Sequence, residues 1–540
     1  MGHPLPSGDS AVFAAQLYAA WKCSDKLFIN SLSIESQKIA YMSIPIELID
    51  QNPWWKKSEE ILKDKNIVAL TKSQVCWEPR IKYTFNLDAD VVYTLRGPRQ
   101  VGKTTLLKDM IRGLLKRNMP PRNIFYYTCD LIDNAKALAE TISAYLDSVR
   151  PDKKQRAYLL IDEVSSVKDW QKAIKYLADK GSLTLTTLIL TGSHTLDIKK
   201  ASEKLPGRRG STQDTLDKIM LPMKFAEYAE TINKDVENKL KEQKMLSWEN
   251  RKTLFLSLLN GEIPEEIKEL SFLSKELKTL FQDYLLTGGI ARVTNEYLTN
   301  KEISESIYKT YVDVVLGDLA KWGKRETYLR QVICRVIETL GTPVGWNTLR
   351  QGTDIAHHNT VAEYVDTLAD SFVLLYFHRY DTTRQGPAYQ KEKKIHFADP
   401  FFLHAMRAWT TGKEPFRSTL EFLENTEKIG ALVEGIAADH LVRLSFRLSE
   451  QKQLFTYENA VTYWRGKKDR EVDFVLGTGL PKPAAIEVKY QPAITTKDTY
   501  GLIDFMKASG STNAIILSKE TLETRRNITI IPIWLFLLIV

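Results

Sequence analysis

The stretch Gly97-Pro98-Arg99-Gln100-Val101-Gly102-Lys103-Thr104 constrains this chain more than any other. It matches G-x-x-x-x-G-K-[ST] in full, and its surroundings are those the motif requires. A run of β-formers, Asp90 to Leu95, feeds it, and Thr104 to Asn118 carries apolar residues at helical spacing. A strand entering a Gly-rich turn and then a helix points several backbone N–H groups inward, and the helix N-terminus adds its positive end. The turn is therefore read as the phosphate cradle for ATP, with Gly97, Pro98, Arg99, Gln100, Val101, Gly102, Lys103, Thr104 and Thr105 as the binding residues. Lys103 is expected to reach the β- and γ-phosphates and to take part in catalysis, and Thr104 to place its hydroxyl on Mg²⁺. Gly97 and Gly102 are expected to be glycines so that the backbone can approach the phosphates.

Downstream, Asn123 to Thr128 reads as a strand and Asn134 to Val149 as a helix. Ala157 to Ile161 is a continuous apolar run that ends in Asp162-Glu163, the pattern of a strand buried on both faces. Its two carboxylates then emerge at the edge where open α/β sheets place ligands. Asp162 is expected to hold Mg²⁺, and Glu163 to orient or deprotonate the attacking water. After a helix over Lys168 to Lys180, the β-rich run Leu185 to Leu190 ends in Thr191-Gly192-Ser193-His194. Thr191 and Ser193 are candidates to touch the γ-phosphate or the water, the alternative being a simple turn. Arg208 and Arg209 supply a cation to a γ-phosphate or form a solvated loop, and Leu221 to Tyr228 is expected to close the sheet. This alternation predicts a doubly wound parallel sheet with an added strand between the P-loop and acidic strands, the layout of additional-strand, catalytic-Glu (ASCE) ATPases.

The P-loop domain is only part of a chain of 540 residues, a length that suggests roughly three or four domains. Asn52-Pro53-Trp54-Trp55 and Trp77 precede the first strand, as an adenine cover or as a hydrophobic clasp on the domain edge. Asn233 to Leu298 is charged and helical in period, and is read as a lid over the nucleotide that includes Leu286-Thr287-Gly288-Gly289. Helices ending near Glu338 to Gly341, then over Trp346 to Gln351 and Val361 to Ser371, precede strands near Leu374 and His396. That order suggests a winged helix, which serves as a DNA reader or as a protein-contact module. His357 and His358 are read as turn and capping residues. The net charge of +8 permits an anionic partner without requiring one. Four scattered cysteines form no metal spacing, no secretory signal is evident, and Ile528 to Val540 is read as a buried strand, so a cytoplasmic protein without a membrane contact is expected.

The last segment has a different order: a helix over Ile429 to Leu444 carrying Glu434, strands at Leu454 to Tyr457, Val461 to Trp464, Val472 to Leu476 and Ala485 to Lys489, a helix over Thr496 to Ala508, and a strand over Asn513 to Leu517. Asp473 is the lone charge within an apolar strand, and alternation puts Glu487 and Lys489 on one face. Buried carboxylates are costly unless paired or metal-bound. Asp473, Glu487 and Lys489 are thus candidate catalytic residues, and Asp473, Glu487 and Glu434 candidate ligands of Mg²⁺ or Mn²⁺ for attack on a phosphodiester. The alternative is a silent salt-bridge cluster. Arg465 to Arg470 forms a basic tip suited to a phosphate backbone.

The order GPRQVGKTTLL, LLIDEV, LILTGS, LTGG, helices with a wing, and EVDFVL…IEVKY resembles the predicted archaeal and bacterial AAA+-type P-loop ATPases that carry a C-terminal domain related to PD-(D/E)xK nucleases. The resemblance runs from about Asn52 to the end. It implies that Asp473 matches the PD aspartate, Glu487-Val488-Lys489 the (D/E)xK, and Glu434 the acidic residue of the first helix. Val472 departs from the usual proline, and Ile290-Ala291-Arg292 departs from the usual sensor sequence, leaving Arg292 as a candidate. The fold expected is α/β: an arm (1–44), an AAA+-like core (45–230), a helical lid (231–315), a winged helix-turn-helix (316–400) and a restriction-endonuclease-like α/β domain (401–540). The function expected is ATP hydrolysis coupled to action on nucleic acid, DNA first, with nuclease-like chemistry at the C-terminal end. The alternative is a nucleotide-gated regulatory or defence switch whose last domain binds without cleaving. A homo-oligomer is left open.

Overall fold

The computed structural model describes residues 46–150, 154–192, 203–212, 214–512 and 514–540. The expected arm over 1–44, Cys23, Ser193, His194 and Asn513 lie outside these residues. Strands β1 (Val91–Arg96), β2 (Ile124–Thr128), β3 (Ala157–Asp162), β4 (Thr186–Thr191) and β5 (Asp217–Ile219) form an all-parallel sheet in the order β2-β3-β4-β1-β5. The added strand, β4, lies between the P-loop strand and the acidic strand, as expected. Thr128 pairs with Asp162 and Leu95 with Thr191, so the functional strand ends share one edge.

Strand β2 borders the sheet, and its open edge is covered by side chains rather than by another strand. Asn52 donates to Tyr126 O at 2.8 Å and accepts from Tyr126 N at 2.7 Å, so its amide imitates a strand partner. Trp54 and Trp55 both donate their indole N–H to Ile124 O. Trp55 stacks on Phe125 and Tyr145. The two tryptophans are buried in this clasp, the second of the two readings.

Three expected strands are corrected. Leu221 to Tyr228, expected to close the sheet, instead runs into the helix Phe225–Ile232, and the closing strand is β5. The Phe225 N–H donates to His440 Nε2 at 2.9 Å, which anchors the start of this helix from another domain. Leu454 to Tyr457 is a turn leading into the short helix Tyr457–Ala460. Of Ile528 to Val540, only Ile528–Pro532 is extended; Ile533–Ile539 is a wholly buried helix. An unbroken apolar run has no periodicity to separate a buried strand from a buried helix.

The segment expected as a lid contains helices Lys234–Glu242, Trp248–Leu259, Glu265–Ser271, Ser274–Thr287 and Ala291–Asn300, followed by Glu305–Lys321. Its Thr287-Gly288-Gly289 turn is a domain joint. A Cβ on Gly288 would strike the Asp399 carboxylate, and one on Gly289 would strike Met223 O. The Gly289 N–H instead donates to Asp399 Oδ2 at 2.8 Å.

Helices Glu326–Glu338, Trp346–Arg350 and His358–Asp370 then precede the hairpin of β6 (Leu374–Asp381) and β7 (Gly386–Phe397). This hairpin does not stand apart. Strands β8 (Val461–Arg465), β9 (Glu471–Leu476), β10 (Ala484–Lys489), β11 (Ala514–Ser518), β12 (Glu523–Arg525) and β13 (Ile528–Pro532) join it in one mixed sheet, β12-β13-β11-β10-β9-β8-β6-β7. The link is the Arg379↔Tyr463 pairing, and the sheet therefore crosses the division expected at residue 400. Helix Thr426–Leu448 and helix Tyr500–Ser509 both pack on it.

Candidate functional site

The P-loop closes on itself through its lysine. Lys103 Nζ donates to Gly97 O and Pro98 O, each at 2.9 Å, so its ammonium is held by two main-chain carbonyls of the loop itself. The side chain is buried, and burial draws its ammonium down to about 8 against the charges of Glu163 and Asp162. Gly102 sits at φ 106° and Gln100 at φ 61°, which turns the loop toward the start of the helix Lys103–Lys116. Gly97 has a reason beyond phosphate approach: a Cβ there would run into Met220 O, just past β5. Thr105 continues the first turn of the helix, and Val101 is buried beneath the loop.

The strand ends complete the site. Thr104 Oγ1 donates to Asp162 Oδ2 at 2.7 Å, bringing together the hydroxyl and carboxylate expected around Mg²⁺. Tyr126 OH donates to the same oxygen at 3.1 Å, and Thr191 Oγ1 donates to Asp162 Oδ1. Three hydroxyls from β2, β4 and the P-loop helix thus fix one carboxylate, and a hard cation coordinated by oxygens fits this donor set. Glu163 follows at φ 52°, in the left-handed region that non-glycine residues rarely enter. This turns it off the line of the strand at the ligand edge. Outliers of this kind concentrate at active sites.

Helix Glu305–Lys321 supplies a residue that the motifs did not indicate. Arg99 Nε lies 2.6 Å from Asp318 Oδ1 on helix Glu305–Lys321, and Tyr311 OH donates to Gln100 O at 3.4 Å. Burial raises the Asp318 carboxyl to about 6, with Arg99 and Lys103 pulling the other way. Arg292 begins the preceding helix, where its charge bears on Tyr311. Of the other basic candidates, Arg208 pairs with Asp179 and Arg209 with Asp217.

In the C-terminal sheet, Asp473, Glu487, Lys489 and Glu434 do come together, with additional members. Lys394 on β7 brings its Nζ to 2.6 Å from Glu434 Oε1, 2.7 Å from Glu471 Oε1 and 2.8 Å from Asp473 Oδ1. The other Asp473 oxygen accepts from Val488 N at 2.8 Å. Glu487 accepts from Asp473 N at 3.1 Å through one oxygen and from Lys489 through the other. His396 Nε2 is 3.6 Å from Glu434, and burial beside Lys394 pushes the ring down to about 3, which keeps it neutral. Burial resists the charge on Asp473, but Lys394 and Lys489 hold its carboxyl below the usual range. Glu434 and Glu487 are each pushed up to about 8, by burial first and then by Asp473. Among the described residues, no group of three His, Cys, Asp or Glu side chains is placed to hold a metal ion. The expected ligand set Asp473, Glu487 and Glu434 is instead engaged by lysines and backbone N–H groups. Nor is any helix among the described residues long and apolar enough to cross a membrane.

Residues 89–229 match the family described as AAA domain. Residues 278–413 and 429–536 match two families described as domains of unknown function, DUF8612 and DUF4143. An uncharacterized protein of Haemophilus influenzae is 22% identical over 319 residues, covering 57% of this chain and 67% of the relative. An uncharacterized protein of Methanocaldococcus jannaschii is 22% identical over 476 residues, covering 85% of this chain and 87% of the relative. Among solved structures, the Walker-type ATPase of Pyrococcus abyssi aligns at a TM-score of 0.35 and 15% identity, over 66% of this chain and 96% of that one. The Aeropyrum pernix Orc1 protein in complex with DNA aligns at 0.26 and 11%, over 66% and 98%. The family match, the β2-β3-β4-β1-β5 order and the assembled Lys103, Thr104, Asp162 and Glu163 support an AAA+-type P-loop ATPase domain within this chain.

Proposed function

We propose that the chain binds ATP with Mg²⁺ and hydrolyses it, and that the cycle governs a nucleic-acid-binding assembly made by the winged-helix segment and the C-terminal sheet. The observation that carries the first part is the convergence of Lys103, Thr104, Asp162 and Glu163 on one sheet edge. Lys103 exchanges its two carbonyl partners for phosphate oxygens, and the N–H groups at the start of its helix add further donors. Thr104 and Asp162 hold the divalent ion, which neutralises charge on the β- and γ-phosphates when bound. Glu163 orients the attacking water and accepts its proton. Arg99 and Gln100 touch the lid helix Glu305–Lys321, so a change at the phosphates is felt by that helix directly.

DNA is the favoured partner because the three helices and hairpin follow the winged-helix order and because Lys467 and Lys468 are exposed at a hairpin tip. Arg465 and Arg470 on the same tip are tied to Asp469 and Asp504. For the C-terminal domain, the Lys394 ammonium seated among Glu434, Glu471 and Asp473 favours binding without cleavage over nuclease chemistry. Steady-state ATP turnover tests the reading. Glu163→Gln should keep ATP binding and lower the turnover rate by about 10²–10⁴-fold, the usual contribution of a general base. Undiminished turnover in that variant would remove Glu163 from the mechanism.

A further inference from the structure

The cluster around Asp473 has the shape of a cation site whose cation belongs to the chain. Glu434 comes from helix Thr426–Leu448, and Glu471 and Asp473 from β9; one oxygen of each lies within 2.8 Å of a single point, and that point is Lys394 Nζ. A divalent ion bound by carboxylates takes a comparable position, drawing oxygens from separate elements onto one charge. The lysine side chain is 1% exposed, so no solvent competes for it. Strand pairing fixes its direction. Phe377 pairs with Lys394 across β6 and β7, and β6 is joined to β8 at Tyr463. A cation brought in on a strand cannot exchange with solution as a metal does.

We infer that the ammonium of Lys394 replaces the divalent ion at this centre, making it a closed ion cluster that takes no metal and fastens the β6–β7 hairpin to the C-terminal sheet. Three features of the geometry agree. The Asp473 carboxylate has one oxygen on Lys394 and the other on Val488 N, and the point that a metal would share with Glu434 and Glu471 is filled by the Lys394 ammonium. Both Glu487 oxygens are likewise used, on Lys489 and on Asp473 N. Lys489, which would have to act on a metal-activated water, is directed to its own strand neighbour instead. The role is mechanical: three helices of the preceding segment lead into a hairpin whose outer, edge strand is pinned by charge to β9 and to helix Thr426–Leu448. The inference stands apart from the ATP reading, since its failure leaves Lys103 and Glu163 untouched.

The test is Mn²⁺ binding to the full-length, nucleotide-free protein, followed by loss of the free-ion electron paramagnetic resonance signal, with thermal melting in parallel. Wild type should bind no Mn²⁺ that Glu434→Gln removes, and Mn²⁺ should not raise its melting temperature. Lys394→Met leaves the buried Glu434 and Asp473 and the half-buried Glu471 without their cation. It should melt roughly 5 °C or more below wild type, regain much of that with Mn²⁺, and bind one additional ion per chain. Wild-type Mn²⁺ binding that Glu434→Gln abolishes would overturn the inference, and this arm decides even if Lys394→Met does not fold. So would Mg²⁺- or Mn²⁺-dependent DNA cleavage that Asp473→Asn abolishes, or a folded Lys394→Met protein that binds no added ion.

Discussion

Two buried lysines sit among carboxylates at two sheets of this molecule, and their surroundings are opposite. Lys103 in the P-loop is held by the neutral carbonyls of Gly97 and Pro98, and burial draws its ammonium down to about 8. Lys394 in the second sheet is held by Glu434, Glu471 and Asp473, and their charges push its ammonium well above the usual lysine range despite burial. A desolvated cation whose direct hydrogen-bond partners are dipoles still favours an anion. A cation already matched by carboxylates has no such demand. The difference teaches that a lysine and acidic residues near a strand end do not define an active centre; what decides is whether the charge has been satisfied within the chain.

Breaking the second cluster is the largest effect expected outside the ATP site. Asp473→Ala removes one of the three carboxyl groups around Lys394 and leaves Val488 N without its acceptor. It should destabilise the protein by about 3 kcal/mol, toward the lower end for a broken buried pair because Glu434 and Glu471 remain. Basal ATP turnover at a temperature where the variant is folded should stay within a few-fold of wild type. Chemical denaturation and an ATPase assay on the same preparation check this. A variant of unchanged stability that loses ATP turnover would make the two centres one.

A smaller effect concerns the joint between the two sheets. Asp399 is buried against the Thr287-Gly288-Gly289 turn, and burial raises its carboxyl to about 7 although the Gly289 and Phe401 N–H groups favour its charge. Asp439 and Arg443 face it with opposing influence. Its folded value lies above the unfolded one near 3.9, so the folded state binds the proton more tightly. This group's contribution is complete below about pH 4, is lost as pH rises toward 7, and stays lost above. Asp399→Asn should remove that decline, narrowing the stability difference between pH 5 and pH 8 by about 2–3 kcal/mol. Denaturant titrations at the two pH values measure it, and an unchanged difference would place the proton elsewhere.

The smallest effect is at the hairpin tip. If Lys467 and Lys468 meet phosphates, DNA affinity falls with salt at a log–log slope of about −0.9 per phosphate neutralised. Replacing both by Ala should make the slope shallower by about 1–2. A native slope near zero would leave a nucleotide-gated switch without DNA as the better account.

The ATP site was legible because each of its parts is local. Gly97 to Thr104 is contiguous, and Asp162-Glu163 closes an apolar run whose burial on both faces the structure bears out. Thr191 was legible as the end of β4, though not the hydrogen bond that binds it to Asp162. Lys394 was not, because Lys391-Glu392-Lys393-Lys394 reads as a solvated charge run. Only the pairing of β6 with both β7 and β8 turns its last residue inward. Asp318 was missed for a related reason: its partner Arg99 lies more than two hundred positions away, and no pattern within a helix reports which face a distant loop will meet. The helices Phe225–Ile232 and Ile533–Ile539, in regions misread as strand, are short, and their form is set by the neighbours that bury them rather than by propensity.

The contrast between an open and a closed lysine is tested most directly by equilibrium titration of the full-length protein with ATP and Mg²⁺. Wild type should bind one nucleotide per chain. Lys103→Ala should lose that binding, because the phosphates lose their one direct lysine, whereas Lys394→Met, at a temperature where it is folded, should bind as wild type does. Nucleotide binding that survives Lys103→Ala, or that is lost in folded Lys394→Met, would contradict the account.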